Sequence, residues 1–385
     1  MDWKKVRVLV LDGASRQVLP IIKGLHELGC NITTLNTSKM DNGYVSKYPD
    51  EKLIIPYECY TTAYDDYIFH LIKTKNYDVL FPLSDKTMDI VTEHFDEMSQ
   101  YIRLPTPSRS VFLDAYNKQR TMEICMDNGI PCPITKRRNE SLNEIVEKIG
   151  LPLIAKPRMA NGSRGLKIIR SREQLNQLVD TGVILLEDYV IQEFIPQTGK
   201  QYNVHMFASE TGEIIDTLVT EKTRWFPIDG GASCLCRTIT NKEVGDICKR
   251  LLQQIGWKSY CEIELIVDPR DGIAKVMEIN GRASASIKIL ELAGINIAEQ
   301  MLEMVYGLPI TLPKRAKEDI RLRCIYTDVL WFLKSKDRFS RKPSWFSLKN
   351  THDVLFSIHD PLPFFAYIIK KGPSYREEME KRKRS

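Results

Sequence analysis

The sequence predicts an α/β protein of more than one domain, and three observations carry that expectation. Strand-like and helix-like text alternates through residues 5–98. A strand-rich stretch follows from Leu151. The chain, at 385 residues, is also about two to three times the usual single-domain size. Composition agrees: 43% hydrophobic and 27% charged residues, with 20 Gly and 19 Pro, exclude collagenous, low-complexity and disordered classes.

The first strand is expected at 5–11, where an apolar run is bounded by polar text. Asp12-Gly13-Ala14-Ser15 reads as a turn and helix cap, and 17–28 as a helix closed by Gly29. Residues 31–35 read as a strand, 65–74 as a helix, 78–82 as a strand and 86–98 as a helix. Strand alternating with helix argues for a parallel sheet. The first turn lacks Gly-x-Gly-x-x-Gly spacing, which argues against a dinucleotide there. Pro105 and Pro107 mark a boundary. Residues 115–128 read as a helix stopped by Gly129, and Ser141 with Glu144 three residues on reads as a capping box opening a helix to 149. Strands are then expected at 153–156, 166–169, 189–194, 202–208 and 213–221, followed by a helix at 242–255. Two more strands, 262–267 and 274–279, flank the turn Asp268-Pro269-Arg270-Asp271-Gly272, and a helix at 295–305 ends at Gly307.

No run approaches the roughly 18 apolar residues of a membrane span. The run at 8–11 falls short of the about 7–15 residues of a signal peptide's apolar region, so a cytoplasmic location is expected. The nine cysteines are scattered and odd in number, and Cys234-Leu-Cys236 has the wrong spacing for zinc; they read as reduced structural thiols. Charge is uneven. Residues 314–385 carry a net +9, and the rest of the chain a net −4. No recognition motif accompanies this charge, so no nucleic-acid partner is expected.

Three clusters carry chemistry. In the first, Lys156-Pro157-Arg158 ends a strand and the small-residue run 160–165 leads into the next. Such a loop can fold over a polyphosphate while the lysine reaches its oxygens; a bare hairpin would look the same. In the second, Glu262-Ile-Glu264 and Glu278-Ile-Asn280-Gly-Arg282 lie on adjacent expected strands. Alternate residues share a face, so a hairpin would bring these acids together, and facing carboxylates repel unless a cation lies between them. Oxygen donors suit Mg²⁺ bridging phosphates, and Arg282 suits a phosphate oxygen; the alternative is a solvated surface hairpin. The third, Gln192-Glu193-Phe194-Ile195-Pro196, is a strand running into irregular text, able to show its backbone to a purine edge.

In order along the chain, Lys118, Gly129-Ile-Pro131, Lys156-Pro157 with its glycine loop, Gln192 to Ile195, and Glu278-Ile-Asn-Gly-Arg282 resemble the ATP-grasp superfamily. The similarity is to its carbamoyl-phosphate-synthetase-like, carboxylate–amine ligase branch, over roughly residues 1–310. The resemblance implies a Rossmann-like pre-ATP-grasp domain over 1–112, a lid over 113–190, a catalytic subdomain over 191–315, and a basic, aromatic extension over 316–385. It implies ATP, held by Lys118, Lys156, Ser163, Gly165, Gln192, Glu193, Ile195 and Gln201. It also implies two Mg²⁺, or Mn²⁺ in their place, on Glu264, Glu278 and Asn280, with Lys156 and Arg282 catalytic. Glu262 shares the face but matches less well, and Gln201 stands where many relatives have a ribose-binding Glu. The implied activity activates a carboxylate as an acyl phosphate and transfers it to an amine or similar nucleophile. The rival is a catalytically reduced ATP-binding regulatory or scaffold subunit. Partners are then a small carboxylate and an amine, with a homodimer compatible with the family.

Substrate identity would lie in loops outside the nucleotide site: Asp12 to Arg16, Ser84-Asp85-Lys86, and Lys222-Thr-Arg224 with Gly230-Gly231, Ser233 and Arg237. His205 reads as structural. Residues 321–385 combine Trp331, Phe332, Trp345, Phe346, Phe364 and Phe365 with many cations. They suit packing onto the catalytic domain, a cap on the acceptor side, or peripheral contact with an anionic membrane or polymer.

Overall fold

The computed structural model describes residues 1–159, 165–228, 231–312 and 317–370. Three sheets organise them. The first is four-stranded and parallel, in spatial order Glu51–Ile54, Asn31–Asn36, Arg7–Val10, Val79–Phe81. Fully buried Val8, Leu9 and Val10 explain why the first strand has no polar face: helices cover both sides, as a parallel sheet requires. Helix Val18–Leu28 ends at Gly29, whose φ of 85° only glycine adopts without strain. The sheet contains one strand, Glu51–Ile54, that the sequence reading lacked; its text is short and only half-buried.

The expected helix at 115–128 is two helices, Arg109–Tyr116 and Lys118–Asp127. Asn117 leaves helical geometry between them, and its side chain accepts from the N–H groups of Gln119 and Arg120. That break places Lys118 on the first turn of the second helix.

The second sheet is antiparallel and three-stranded, in order Lys167–Ile169, Leu153–Pro157, Tyr189–Glu193. Helices Leu142–Ile149 and Arg172–Asp180 close a small core on it around Ile145, Leu153, Leu175 and Ile191. The Ser141–Glu144 capping box forms as expected.

The third sheet has seven strands: Ala274–Asn280, Ser259–Val267, Gln201–Ala208, Ile214–Phe226, Ala232–Ile239, Arg321–Arg323 and Thr351–Asp353. Only its last pair is parallel. The last two strands come from the basic, aromatic segment, which therefore builds the sheet edge. Val354 and Leu355 share one core with Leu322, with Val8 and Ile21 of the first sheet's layer, and with helix Ile297–Val305. Ser46 and Lys47 bind Asp360, and Lys370 pairs with Asp41, so the segment also straps the N-terminal layer. Among the described residues no helix is long and apolar enough to cross a membrane.

Candidate functional site

The site grows from the hairpin of Ser259–Val267 and Ala274–Asn280. Its register sets Glu262 opposite Asn280 and Glu264 opposite Glu278. The strand beyond continues the face, with His205 opposite Glu262 and Asn203 opposite Glu264. Period-two alternation thus gathers six polar side chains on one surface.

Cations close on the acids from three elements. Lys222 Nζ, on Ile214–Phe226, lies 2.5 Å from Glu264 Oε2. Lys118 Nζ, on the capped helix, lies 3.3 Å from Glu278 Oε2. Lys156 Nζ, at the end of the three-stranded sheet, donates to Met277 O at 3.2 Å. Burial pushes the Lys156 ammonium down to about 8; Glu278 opposes that shift and Lys118 adds to it. Such a lysine is short of anionic partners, and a phosphate would supply them.

Asn280 lies at the centre. Its Nδ2 donates to Glu262 Oε1 at 3.4 Å and Glu264 Oε1 at 3.3 Å, while its Oδ1 accepts from Arg282 Nη2 at 2.9 Å. The amide hydrogens stand between the carboxylates, so presenting Oδ1 there needs only a turn of the side-chain amide. Burial raises the Glu264 carboxyl; Lys222 pulls it down, Glu278 and Glu262 push it up, and it rests above its ordinary value. Among the described residues no three His, Cys, Asp or Glu side chains group as a metal site. The available set is two carboxylates and an amide, which fits a hard divalent cation that takes its remaining oxygens from phosphate and water.

Glu262 is already engaged. Ser286 Oγ donates to its Oε2 at 2.6 Å, and His205 Nε2 lies 3.5 Å away. Burial would raise its carboxyl, but His205, Ser286, Asn203 and Arg282 outweigh that and hold it low. His205 is buried, and its Nδ1 is 2.8 Å from the Tyr260 hydroxyl, a structural position as expected.

Gln192, Glu193 and Ile195 lie together where the small sheet meets the body. Gln192 Nε2 donates to Thr135 Oγ1 at 3.0 Å, and its buried Oε1 has no partner among the described residues. Glu193 points away from the acids: it accepts from Ile134 N at 2.8 Å and pairs with Arg270 and Lys275. Its side chain braces the linker, and its backbone N–H donates to Ile134 O at 2.9 Å. Gln201 is paired in register with Lys222 and donates to Gln197 Oε1 at 3.3 Å. Gly165 has a φ of 72°, and a Cβ there would meet Pro157 at 2.9 Å, so the loop's exit needs glycine. Ser163 lies outside the described residues.

The candidate acceptor loops divide. Asp12 is structural: it accepts from Leu83 N, Ser84 Oγ and Thr87 Oγ1 and ties the ends of two parallel strands together. Asp85, next along, lies 3.3 Å from Arg282 Nε, which brings the N-terminal layer to the acid cluster. Lys222 belongs to that cluster rather than to an outer loop. Arg224 and Arg237 are committed to Asp328 and Glu221. Sequence reading missed Asp328 and the braces Arg270 and Lys275, because their partners lie far along the chain or across a turn.

The family model of the carbamoyl-phosphate synthase L chain, ATP binding domain, matches residues 114–313. A D-aspartate ligase of Enterococcus faecium is 24% identical over 254 residues, covering 60% of this chain and 59% of the relative. The arginine-specific carbamoyl phosphate synthase large chain of Geobacillus stearothermophilus is 25% identical over 178 residues, 44% of this chain and 16% of that one. Both matches thus span less than two-thirds of the relative's length. Among solved structures, the biotin carboxylase domain of Hydrogenobacter thermophilus 2-oxoglutarate carboxylase, bound to MgADP and bicarbonate, superposes with a TM-score of 0.68. Identity there is 17%, with 82% of this chain and 73% of that one covered, a likeness of fold.

Proposed function

The chain belongs to the family of the carbamoyl-phosphate synthase large-chain ATP-binding domain, an ATP-grasp fold behind a Rossmann-like layer, and from that premise we propose that it is an ATP- and Mg²⁺-dependent carboxylate–amine ligase. The observation that carries the reading is the juxtaposition of Lys118, Lys156 and Lys222, drawn from three separate elements, with Glu264, Glu278 and Asn280 of one hairpin. A scaffold subunit would have no need of buried acids and cations held in near-contact, since such pairs cost desolvation.

In this reading Lys118 and Lys156 hold phosphate oxygens. Glu264, Glu278 and Asn280 would hold Mg²⁺, two ions with Mn²⁺ able to replace them, and bound there it would supply charge neutralisation for the transferring phosphoryl group. Arg282, fixed by Asp85 and Asn280, faces the reacting phosphate and the incoming carboxylate. Gln192, Glu193 and Ile195 receive the adenine, Gln201 lies toward the ribose, and Ser163 and Gly165 belong to the loop over the phosphates. The carboxylate and amine enter between Arg282 and the loops ending the parallel strands at Asp12 and Asp85, the crevice beyond the carboxyl ends where such sheets bind ligands.

The test is ADP release with pools of amino acids and carboxylic acids, followed by product analysis. Stimulated release with a new amide product is expected. Lys156→Met should cost at least about tenfold in turnover, since a charge-assisted contact is worth roughly 1.5–3 kcal/mol. Unchanged kinetics in that variant would remove Lys156 from the site. A second comparison separates the acids. Glu264→Gln should lose more than about 100-fold in Mg²⁺-dependent kcat, and Glu262→Gln clearly less, within the about 10–100-fold of an outer partner. The reverse order would make Glu262 the ligand.

A further inference from the structure

We propose that residues 333–349 form a docking surface for an anionic lipid bilayer. The segment starts on the last two residues of helix Ile325–Lys334 and packs only its inner side. Trp331 is buried, and Trp345 donates its indole N–H to Asp328 O at 3.2 Å, while the Arg323 guanidinium lies 4.3 Å from the Trp345 ring centroid. On this base stands a single aromatic cluster, with Phe332 centred 5.6 Å from Phe339, 4.7 Å from Trp345 and 5.8 Å from Phe346. The outer members face water: Phe339 is 74% exposed, Phe346 64% and Leu348 76%, with Leu333 at 62%. Monomeric proteins rarely leave large apolar side chains gathered in this way, and such patches mark interaction sites.

Charge identifies the occupant. The same 17 residues hold six Lys and Arg against one acid, Asp337. Lys334, Lys336, Arg338, Lys342 and Lys349 are exposed. A second copy seated on this face would set cation against cation. A soluble polyanion would satisfy the lysines and leave Phe339 and Phe346 in water. An anionic bilayer satisfies both, with headgroups for the cations and an acyl boundary for the rings. The inference is independent of the nucleotide site, from which none of these residues is drawn.

Sedimentation of the full chain with phosphatidylcholine vesicles containing about 30% phosphatidylserine tests it, against vesicles of phosphatidylcholine alone. Binding to the anionic vesicles, weakened by added salt, is expected. Lys336→Glu with Lys342→Glu should weaken it at least about tenfold, and so should Phe339→Ser with Phe346→Ser, with unchanged circular dichroism and unchanged ATP hydrolysis. A chain that stays in the supernatant overturns the proposal. Binding indifferent to the aromatic pair would show a purely electrostatic polyanion surface and overturn it too. So would a dimer in light scattering that the aromatic pair dissolves, since a second copy would then cover the face.

Discussion

Glu278→Gln is expected to abolish Mg²⁺-dependent turnover in a chain that remains folded. Glu278 sits opposite Glu264 in the hairpin register and takes Lys118 at 3.3 Å. Burial works to raise its carboxyl, but Lys118, Lys156 and Lys222 outweigh that and hold it ionised. Glutamine keeps the shape and removes the charge, so Lys118 and Lys156 face each other with less compensation and a metal loses an anionic donor. Partners one shell out from a metal cost about 10–100-fold when removed; a direct ligand should cost more than about 100-fold. The fold should survive, because the side chain is partly open and the hairpin's hydrogen bonds do not use it. The measurement is kcat against Mg²⁺ concentration, with a thermal melt as the control. Turnover within about tenfold of wild type at saturating Mg²⁺ would show that Glu278 is not a ligand.

The acids were legible because alternation along two strands and one Asp-Gly turn suffice to bring Glu264 and Glu278 together; no distant information is needed. Lys118 was legible only through its place ahead of the Gly-Ile-Pro text, and the Asn117 cap that aims it reads, in sequence, as an ordinary interior residue of one long helix. Lys222 illustrates what is lost. In sequence it falls just past the strand expected at 213–221 and reads as a loop cation; the strand instead runs on to Phe226, and its pairing with Gln201–Ala208 turns Lys222 toward Glu264. Helix Arg172–Asp180 was missed because its single buried residue, Leu175, leaves almost no periodic signal. The strands Arg321–Arg323 and Thr351–Asp353 are three residues each and charged. Nothing local marks them as strands; they form because the edge of a large sheet offers unpaired backbone groups.

The other large effect belongs to Asp328, a residue with no local signature. It is fully buried and serves two arginines: Arg224 bidentately, Nε at 2.6 Å and Nη2 at 2.8 Å, and Arg323 through Nε at 2.6 Å. Arg224 also donates to Pro343 O at 3.0 Å and lies over Trp331, and Arg323 lies over Trp345. The aspartate therefore joins two strands of the seven-stranded sheet to the helix that carries the aromatic segment. One carboxylate serving two guanidiniums leaves a net buried cation even in the intact protein, offset by the aromatic faces. Asp328→Ala removes the only acid within reach among the described residues and strands both cations away from water. Breaking a buried pair in this way costs about 3–5 kcal/mol. Arg323→Met should cost much less, because the bidentate Arg224–Asp328 pair remains and the charge excess falls. Asp337→Ala, on exposed text nearby, should stay within about 0.5 kcal/mol. Urea or thermal unfolding of the three variants gives the order, with Trp331 and Trp345 fluorescence reporting on this layer. If Asp328→Ala and Asp337→Ala unfold alike, the two arginines find other partners and the aspartate does not hold the sheet edge together.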